Sequence, residues 1–564
     1  MQISALRASA DFEAQVQRAA ERLAAERIYD RILARDHTVW RPDPTEIANR
    51  LGWLDSPRVM RDAIGPIRQF IDAVCADGYT HALLLGMGGS SLAPEVFRAI
   101  FGVADGFLDL SVLDSTQPDA VLAKERTLDL TRTLFLPATK SGGTVETLSL
   151  LKYFYNRTAD AVGLEEAGRH FAAITDPESG LEALAQRLGF RHIFRNDPNI
   201  GGRYSALSYY GLVAAGAIGA DLGHLLDRAE RATADPQPGI QLGAFLGAGA
   251  LAGRDKLTLI TSPAVSAVGA WIEQLIAEST GKDGKGLLPV DLEPECAAHT
   301  YGPDRLFIHL RLDDAADTQA QAIAAAGHPV LCLQLADSYD LGAAFFHWEI
   351  ATAIAGFFLG IHPFDQPDVE AAKELARQMV AAYQQRGALP ASTPDLVDGL
   401  ALYGPVQGTT LPQALAHFLA SGEPRRAYIA LQAHLPPTPP TTAALQDLRG
   451  QLLARTGLAT TLGFGPRFLH STGQLHKGDA GRGLFIQLTA DSAEDAPIPN
   501  EAGASASSIT FGVLAQAQAL GDRQALVDQG RAVLRIHLGA DIATGIAQLR
   551  CALDPNNDPT GEVQ

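Results

Sequence analysis

The chain has 564 residues, 46% hydrophobic and 19% charged, with 45 Lys+Arg against 64 Asp+Glu for a net charge of −19. The apolar fraction excludes an intrinsically disordered chain, and the length allows about three or four average domains or two large ones. The negative charge, with no basic block to offset it, excludes a polyanion-binding surface and so a nucleic-acid partner.

The first residues carry an acidic pair and no apolar h-region, so no signal peptide is expected. Residues 10–35 and 58–77 set apolar and charged positions at helical spacing and predict helices. Short apolar runs then alternate with helix-like segments: HALLLGM (81–87), LDLSVLD (108–114), RTLFLPA (132–138), FAAITD (171–176) and RHIFR (191–195). The rhythm returns in KLTLITS (256–262), RLFIHLRL (305–312), PVLCLQL (329–335), AYIALQAHL (427–435), GLFIQL (483–488) and AVLRIHL (532–538). This predicts an α/β fold of mostly parallel sheets flanked by helices, in two units meeting near 220–260. No short-period repeat is present.

The most apolar stretch, 341–361, contains His347 and Glu349 and reads as a buried core helix, so no membrane association is expected. PPTPP (436–440) reads as a rigid turn before a helix beginning near Thr441. Cys75, Cys296, Cys332 and Cys551 have no CxxC spacing, which predicts reduced thiols in a cytoplasmic setting and neither disulfide nor zinc site.

Two loops carry anion-binding chemistry. GMGGSS (86–91) follows a predicted strand and opens a helix, so glycine-shaped backbone N–H groups and the helix N-terminus can converge on one anion. It is neither G-x-G-x-x-G nor a Walker loop, which argues against a dinucleotide or nucleoside triphosphate. ATKSGGTVET (138–147) repeats the arrangement with hydroxyls around Lys140. Either loop alone can be an ordinary helix cap; together they point to a phosphate monoester. IGGRYSALS (200–208) sets Arg203 after two glycines. In QLIAESTGKDGKG (274–286), Gln274 and Glu278 fall on one helix face. Glu278, in the last turn before Gly281, faces the negative dipole end, which should raise its pKa as a general base needs; a Glu278–Lys282 surface pair is the plain alternative. No HExxH or clustered carboxylate/His pattern suggests a metal.

GMGGSSLAP, TKSGGTVET, GGRYSALS, QLIAESTGK, FDQPDVEAAK (364–373) and AQALGDRQAL (517–526) together resemble the glucose-6-phosphate isomerase family of the sugar-isomerase (SIS) domain superfamily. FDQPDVEAAK and FLHSTGQLHKG more narrowly resemble the isomerase half of transaldolase–isomerase fusions, and RDHTVWRPDPTEIANRLGWL (35–54) looks like the segment that follows transaldolase there. The resemblance implies a helical segment 1–57, a first SIS domain 58–235 and a second SIS domain with a C-terminal extension, 236–564. It implies Glu278 as enolisation base, Arg203 as the group stabilising the enediolate, and Lys373 at the sugar ring. Gly89, Ser90, Thr139, Lys140, Ser141, Thr144, Gly202, Gln274 and Gln366 are the implied substrate contacts. The family's GQH histidine, which assists ring opening, has no match among His299, His309, His328, His347 and His362; His470 and His476 are rival candidates, His470 preferred. The resemblance implies glucose 6-phosphate/fructose 6-phosphate interconversion without a cofactor, in a homodimer with sites near the interface. In some members the histidine comes from the neighbouring subunit. Activity on mannose 6-phosphate, a non-catalytic sugar-phosphate-binding module, and pairing with a separate transaldolase are the alternatives.

Overall fold

A computed structural model describes residues 1–390 and 392–554; residues 391 and 555–564, within the expected 236–564 unit, lie outside the described residues. The chain opens with strand β1 (Gln2–Arg7) and helix α1 (Ala10–Ala25), which Ser9 caps by accepting the N–H of Phe12. The strand had no sequence signal. Its pattern is only half-buried, and it is extended because a distant sheet edge supplies its backbone partners, a non-local cause.

The first sheet takes β2 (His81–Gly86), then helix α2 (Leu92–Phe101), β3 (Asp109–Leu113) and β4 (Thr133–Ala138). Helix α3 (Val145–Val162), β5 (Ala172–Thr175) and β6 (His192–Arg195) complete it. The strands are parallel in the order β3-β2-β4-β5-β6. β4 is buried along its whole length and reads as a continuous apolar run, as a strand covered by helices on both faces must.

Helix α4 (Gln237–Leu251) leads into β7 (Lys256–Thr261), helix α5 (Val268–Thr280), β8 (Leu288–Val290), β9 (Arg305–Arg311), β10 (Val330–Gln334) and helix α6 (Leu341–Leu359). The second sheet runs β1-β10-β9-β7-β8, parallel except for β1. α4 and α6 approach closely because α4 offers glycines: a Cβ at Gly247 would stand 2.1 Å from the Phe358 ring. The helix spanning α6 is, among the described residues, the one long and apolar enough to cross a membrane, and 94% of its apolar window is buried inside the protein.

After helix α7 (Val369–Arg386) comes a third sheet: β11 (Leu396–Asp398), β12 (Leu400–Tyr403), β13 (Tyr428–His434), helix α8 (Pro439–Thr456) and β14 (Ala459–Phe464). Short helix α9 (Gly473–Gly478), β15 (Gly483–Thr489), the small pair β16 (Pro497–Pro499) and β17 (Ser507–Thr510), helix α10 (Phe511–Asp528) and β18 (Ala532–His537) follow. The order is β11-β12-β18-β15-β13-β14. The span 236–564 therefore holds two sheets. The third closes a core of its own around Ile429, Leu431, Leu448, Ile486 and Leu534, and an apolar run does not reveal which sheet it will join.

Candidate active site

The 86–91 loop is shaped by what lies against it. Gly88 has φ +54, and a Cβ there would come within 2.8 Å of Gln274 Nε2 and of the His470 carbonyl oxygen. A Cβ on Gly89 would stand 1.9 Å from the Gly202 carbonyl oxygen. Only glycine allows this approach, which draws the turn bearing Arg203, helix α5 and the His470 segment to one point. Ser90 is buried in the same short turn.

The 138–147 loop, between β4 and α3, borders a cavity of about 650 Å³. Ser141 and Thr144 line it at the start of an 18-residue helix. The hydroxyls of Thr139 and Thr144 lie 2.8 Å apart, and Ser141 Oγ accepts the Gly143 N–H at 3.2 Å. Hydroxyls and free helix N–H groups at this end suit an anion. Lys140 is turned elsewhere: its ammonium donates to Asp176 at 2.5 Å and to the Pro198 carbonyl at 2.6 Å.

Arg203 is 3% exposed and spends its donors on Ser279 Oγ (2.8 Å), Gln366 Oε1 (3.1 Å) and the carbonyls of Pro363 (2.7 Å) and Asp365 (2.9 Å). So held, it lies 3.5 Å from Glu278 Oε1. Gln274, one helical turn before Glu278, donates to Glu278 Oε2 at 3.0 Å and to the His470 carbonyl at 2.9 Å. It thereby ties the carboxylate to the histidine segment 196 residues away. Lys282 does not pair with Glu278 on the surface. The chain turns after α5 and buries its ammonium against Asp365 Oδ1 (2.6 Å) and the His362 carbonyl (2.6 Å). Burial, then the nearby Arg203 charge, push its pKa down to about 7.

His470 lines the cavity, and its Nε2 lies 3.0 Å from Glu146 Oε1. Gln518 donates to the same oxygen at 2.7 Å and accepts from Thr116 at 2.7 Å. Burial opposes the charge of Glu146, but His470 beside it outweighs burial and holds the carboxyl below its ordinary range. An ionised carboxylate only accepts, so Nε2 carries the proton in this pair. His476 is in the core instead, packed edge-on against Phe485 with ring centroids 5.0 Å apart, and burial pushes its pKa far down. Of the two rival histidines, His470 is the one at the cavity.

Lys373 also lines the cavity, with Nζ 2.8 Å from Glu370 Oε1. A further lysine reaches it, Lys477, whose buried ammonium donates to Asp522 at 2.6 Å. Sequence reasoning missed Glu146, Lys282 and Lys477. Glu146 had a faint signal, as the acidic residue inside the TKSGGTVET loop; Lys282, read only as an alternative surface partner of Glu278, and Lys477 stood inside quoted motifs with no site role assigned. The geometry gathers Arg203, Gln274, Glu278 and Gln366 into one polar cluster, and Ser141, Thr144, Lys373 and His470 around one cavity. Gln274 joins the two through the His470 main chain. Gly89 and Gly202 support this arrangement as packing contacts, and Lys140 is drawn away by Asp176.

Residues 59–235 match the family model of phosphoglucose isomerase. A glucose-6-phosphate isomerase of Thermus thermophilus is 29% identical over 386 residues, covering 60% of this chain and 91% of the relative. That of Rubrobacter xylanophilus is 27% identical over 380 residues, covering 57% and 88%. Among solved structures, the hypothetical protein TT0462 of Thermus thermophilus superposes with a TM-score of 0.58 at 27% identity, covering 67% of this chain and all of that one. A glucose-6-phosphate isomerase of Chlamydia trachomatis shares the fold, with a TM-score of 0.51 at 20% identity over 58% of this chain and 74% of that one. Through its segment 59–235 and its similarity to these relatives, the chain resembles the phosphoglucose isomerase family.

Proposed function

We propose that the chain is an aldose–ketose isomerase interconverting glucose 6-phosphate and fructose 6-phosphate in the cytoplasm. The observation that carries this reading is the half-buried Glu278 carboxylate, 3.5 Å from Arg203 and linked by Gln274 to the segment that brings His470 to the cavity. The relatives carry the matching name.

The phosphate is held by the Ser141 and Thr144 hydroxyls and the N-terminus of α3. His470, oriented by Glu146, and Lys373 exchange protons with the ring oxygen and anomeric hydroxyl to open the ring. Glu278 takes the C2 proton and returns it at C1 through a cis-enediol. Arg203, fixed in advance by its four other acceptors, faces the charge that develops on the enediolate oxygens; one preorganised donor of this kind is worth about 3 kcal/mol of barrier. Glu278→Gln should lower kcat by several orders of magnitude while binding of a non-isomerisable sugar phosphate persists. Full turnover in that variant would overturn the assignment.

A further inference from the structure

The second and third sheets share one topology. Apart from the extra edge strand β11, β1-β10-β9-β7-β8 and β12-β18-β15-β13-β14 have the same order and the same strand directions, including the antiparallel pairing of the first strand in each series. The register agrees as well. Phe307 stands opposite Val330 and Thr258, and Phe485 opposite Val533 and Ala430. Lys256 pairs with Arg305 and Leu288, and Tyr428 with Gly483 and Ala459. At the antiparallel edge Ile3 faces Leu333, and Leu402 faces Ile536. In both sheets three strands, β7, β9 and β8 in one and β13, β15 and β14 in the other, pair through their first residues, so their side chains fall on matching faces with no offset chosen to make them agree.

The connections repeat too. α5 and α8 both end in Thr-Gly. Thr280 donates to the Ile276 carbonyl at 2.8 Å and accepts the Leu287 N–H at 2.9 Å; Thr456 donates to the Leu452 carbonyl at 2.7 Å and accepts the Leu458 N–H at 3.2 Å. The central strands read LFIHL (306–310) and LFIQL (484–488). Before each lies a short 3-10 turn carrying a histidine, in His299-Thr300-Tyr301-Gly302 and His470-Ser471-Thr472-Gly473.

The two units differ where the chemistry lies. Two residues before the helix-ending Thr, the second unit has Glu278 and the third has Ala454. His299 is exposed, whereas His470 reaches the cavity. They are joined closely: Arg449 of the third unit donates to the Asp291 and Leu292 carbonyls at 2.8 and 3.0 Å, and Thr460 N donates to Glu293 at 2.8 Å. The Thermus structure is covered in full while a third of this chain lies outside the match, enough length for one such unit.

We infer that the third unit is an internal second copy of the second unit, and that it completes the site within one chain, the first copy giving the carboxylate and the second the histidine. This rests on the isomerase reading of the site. A partner subunit is then not needed for catalysis, whatever the assembly.

The test is trans-complementation. Differently tagged Glu278→Gln and His470→Ala chains are co-expressed, and doubly captured species, or the mixture where none forms, are assayed. Activity should stay at the sum of the two variants, and the wild-type specific activity should hold on dilution to monomer. A heteromer with about half of wild-type activity would overturn the inference, because one intact site would have formed across chains. Wild-type activity in each single variant before mixing would instead overturn the site assignment. Should His470→Ala fail to fold, His470→Asn takes its place.

Discussion

Glu146→Gln tests the orientation of the histidine. The carboxylate is buried, and its Oε1 accepts from both His470 Nε2 (3.0 Å) and Gln518 Nε2 (2.7 Å). The replacement keeps size and shape but removes the charge and brings an amide donor beside two donors. A hydrogen bond to a charged group contributes roughly 1.5–3 kcal/mol net, against about 1 kcal/mol for a neutral one. Loss of the charged bond and weaker alignment of the ring together amount to about 1.5–3 kcal/mol of transition-state stabilisation, or roughly 10- to 150-fold in kcat/KM on the cyclic substrate. The assay is steady-state kinetics on the cyclic sugar phosphate, with binding of a non-isomerisable sugar phosphate as control. The phosphate loop is untouched, so kcat should fall with binding nearly unchanged. Unimpaired turnover would refute the orienting role; equal losses of binding and turnover would show a collapsed cavity instead.

Three further outcomes follow from the same geometry. His470→Ala should impair ring opening, measured on cyclic substrate, whereas His476→Ala should mainly lower stability, costing about 2–3 kcal/mol in urea unfolding for the lost packing. Glu273, which accepts from the Ser471 hydroxyl beside His470, has its pKa raised to about 7 by burial and then by Asp291. The folded value lies above the ordinary 4.5, so its contribution is full below about pH 4.5 and is lost as pH rises to about 7; Glu273→Gln should flatten the fall in thermal midpoint over that range, worth about 3 kcal/mol. Gly89→Ala should drive the Arg203 turn away from the loop, costing about 1–3 kcal/mol in unfolding titrations and reducing kcat.

What the sequence disclosed follows the reach of each interaction. Buried central strands such as β2, β7, β9 and β15 announce themselves because both faces are covered and the run stays apolar. β1, β8 and β12 are edge or short strands whose extended shape depends on a partner far along the chain. The third sheet was hidden for the same reason, since local pattern does not carry sheet membership. Nor did the repeat show as a period: the offset between copies is constant along each strand but changes from one strand to the next. Helical spacing put Gln274 beside Glu278, and the resemblance to the isomerase family added Arg203 and Gln366, all of which the structure gathers as neighbours. Lys140 departs from the expected phosphate loop because Asp176, 36 residues on, competes for its charge. Glu146 went unremarked because an acidic residue in the first turn of a helix has an ordinary explanation in the dipole.

Arg449 offers the sharpest test of how the third unit is held. It is 1% exposed and donates to Thr460 O within its own unit and to the Asp291 and Leu292 carbonyls across the junction. It also opposes the burial that raises the Asp291 carboxyl to about 6. Arg449→Met therefore leaves buried acceptors unpaired at the junction, a loss of about 3–5 kcal/mol. The four tryptophans, Trp40, Trp53, Trp271 and Trp348, all lie in the large core away from the third unit, so their fluorescence follows that core alone. On the proposed mechanism, activity needs the third unit, because His470 is in it. In the native chain, urea should abolish activity and shift tryptophan emission together. In Arg449→Met, activity should disappear at lower urea than the emission change, because the junction opens while the large core persists. Coincident transitions in the variant would show that the junction is not where the third unit is held.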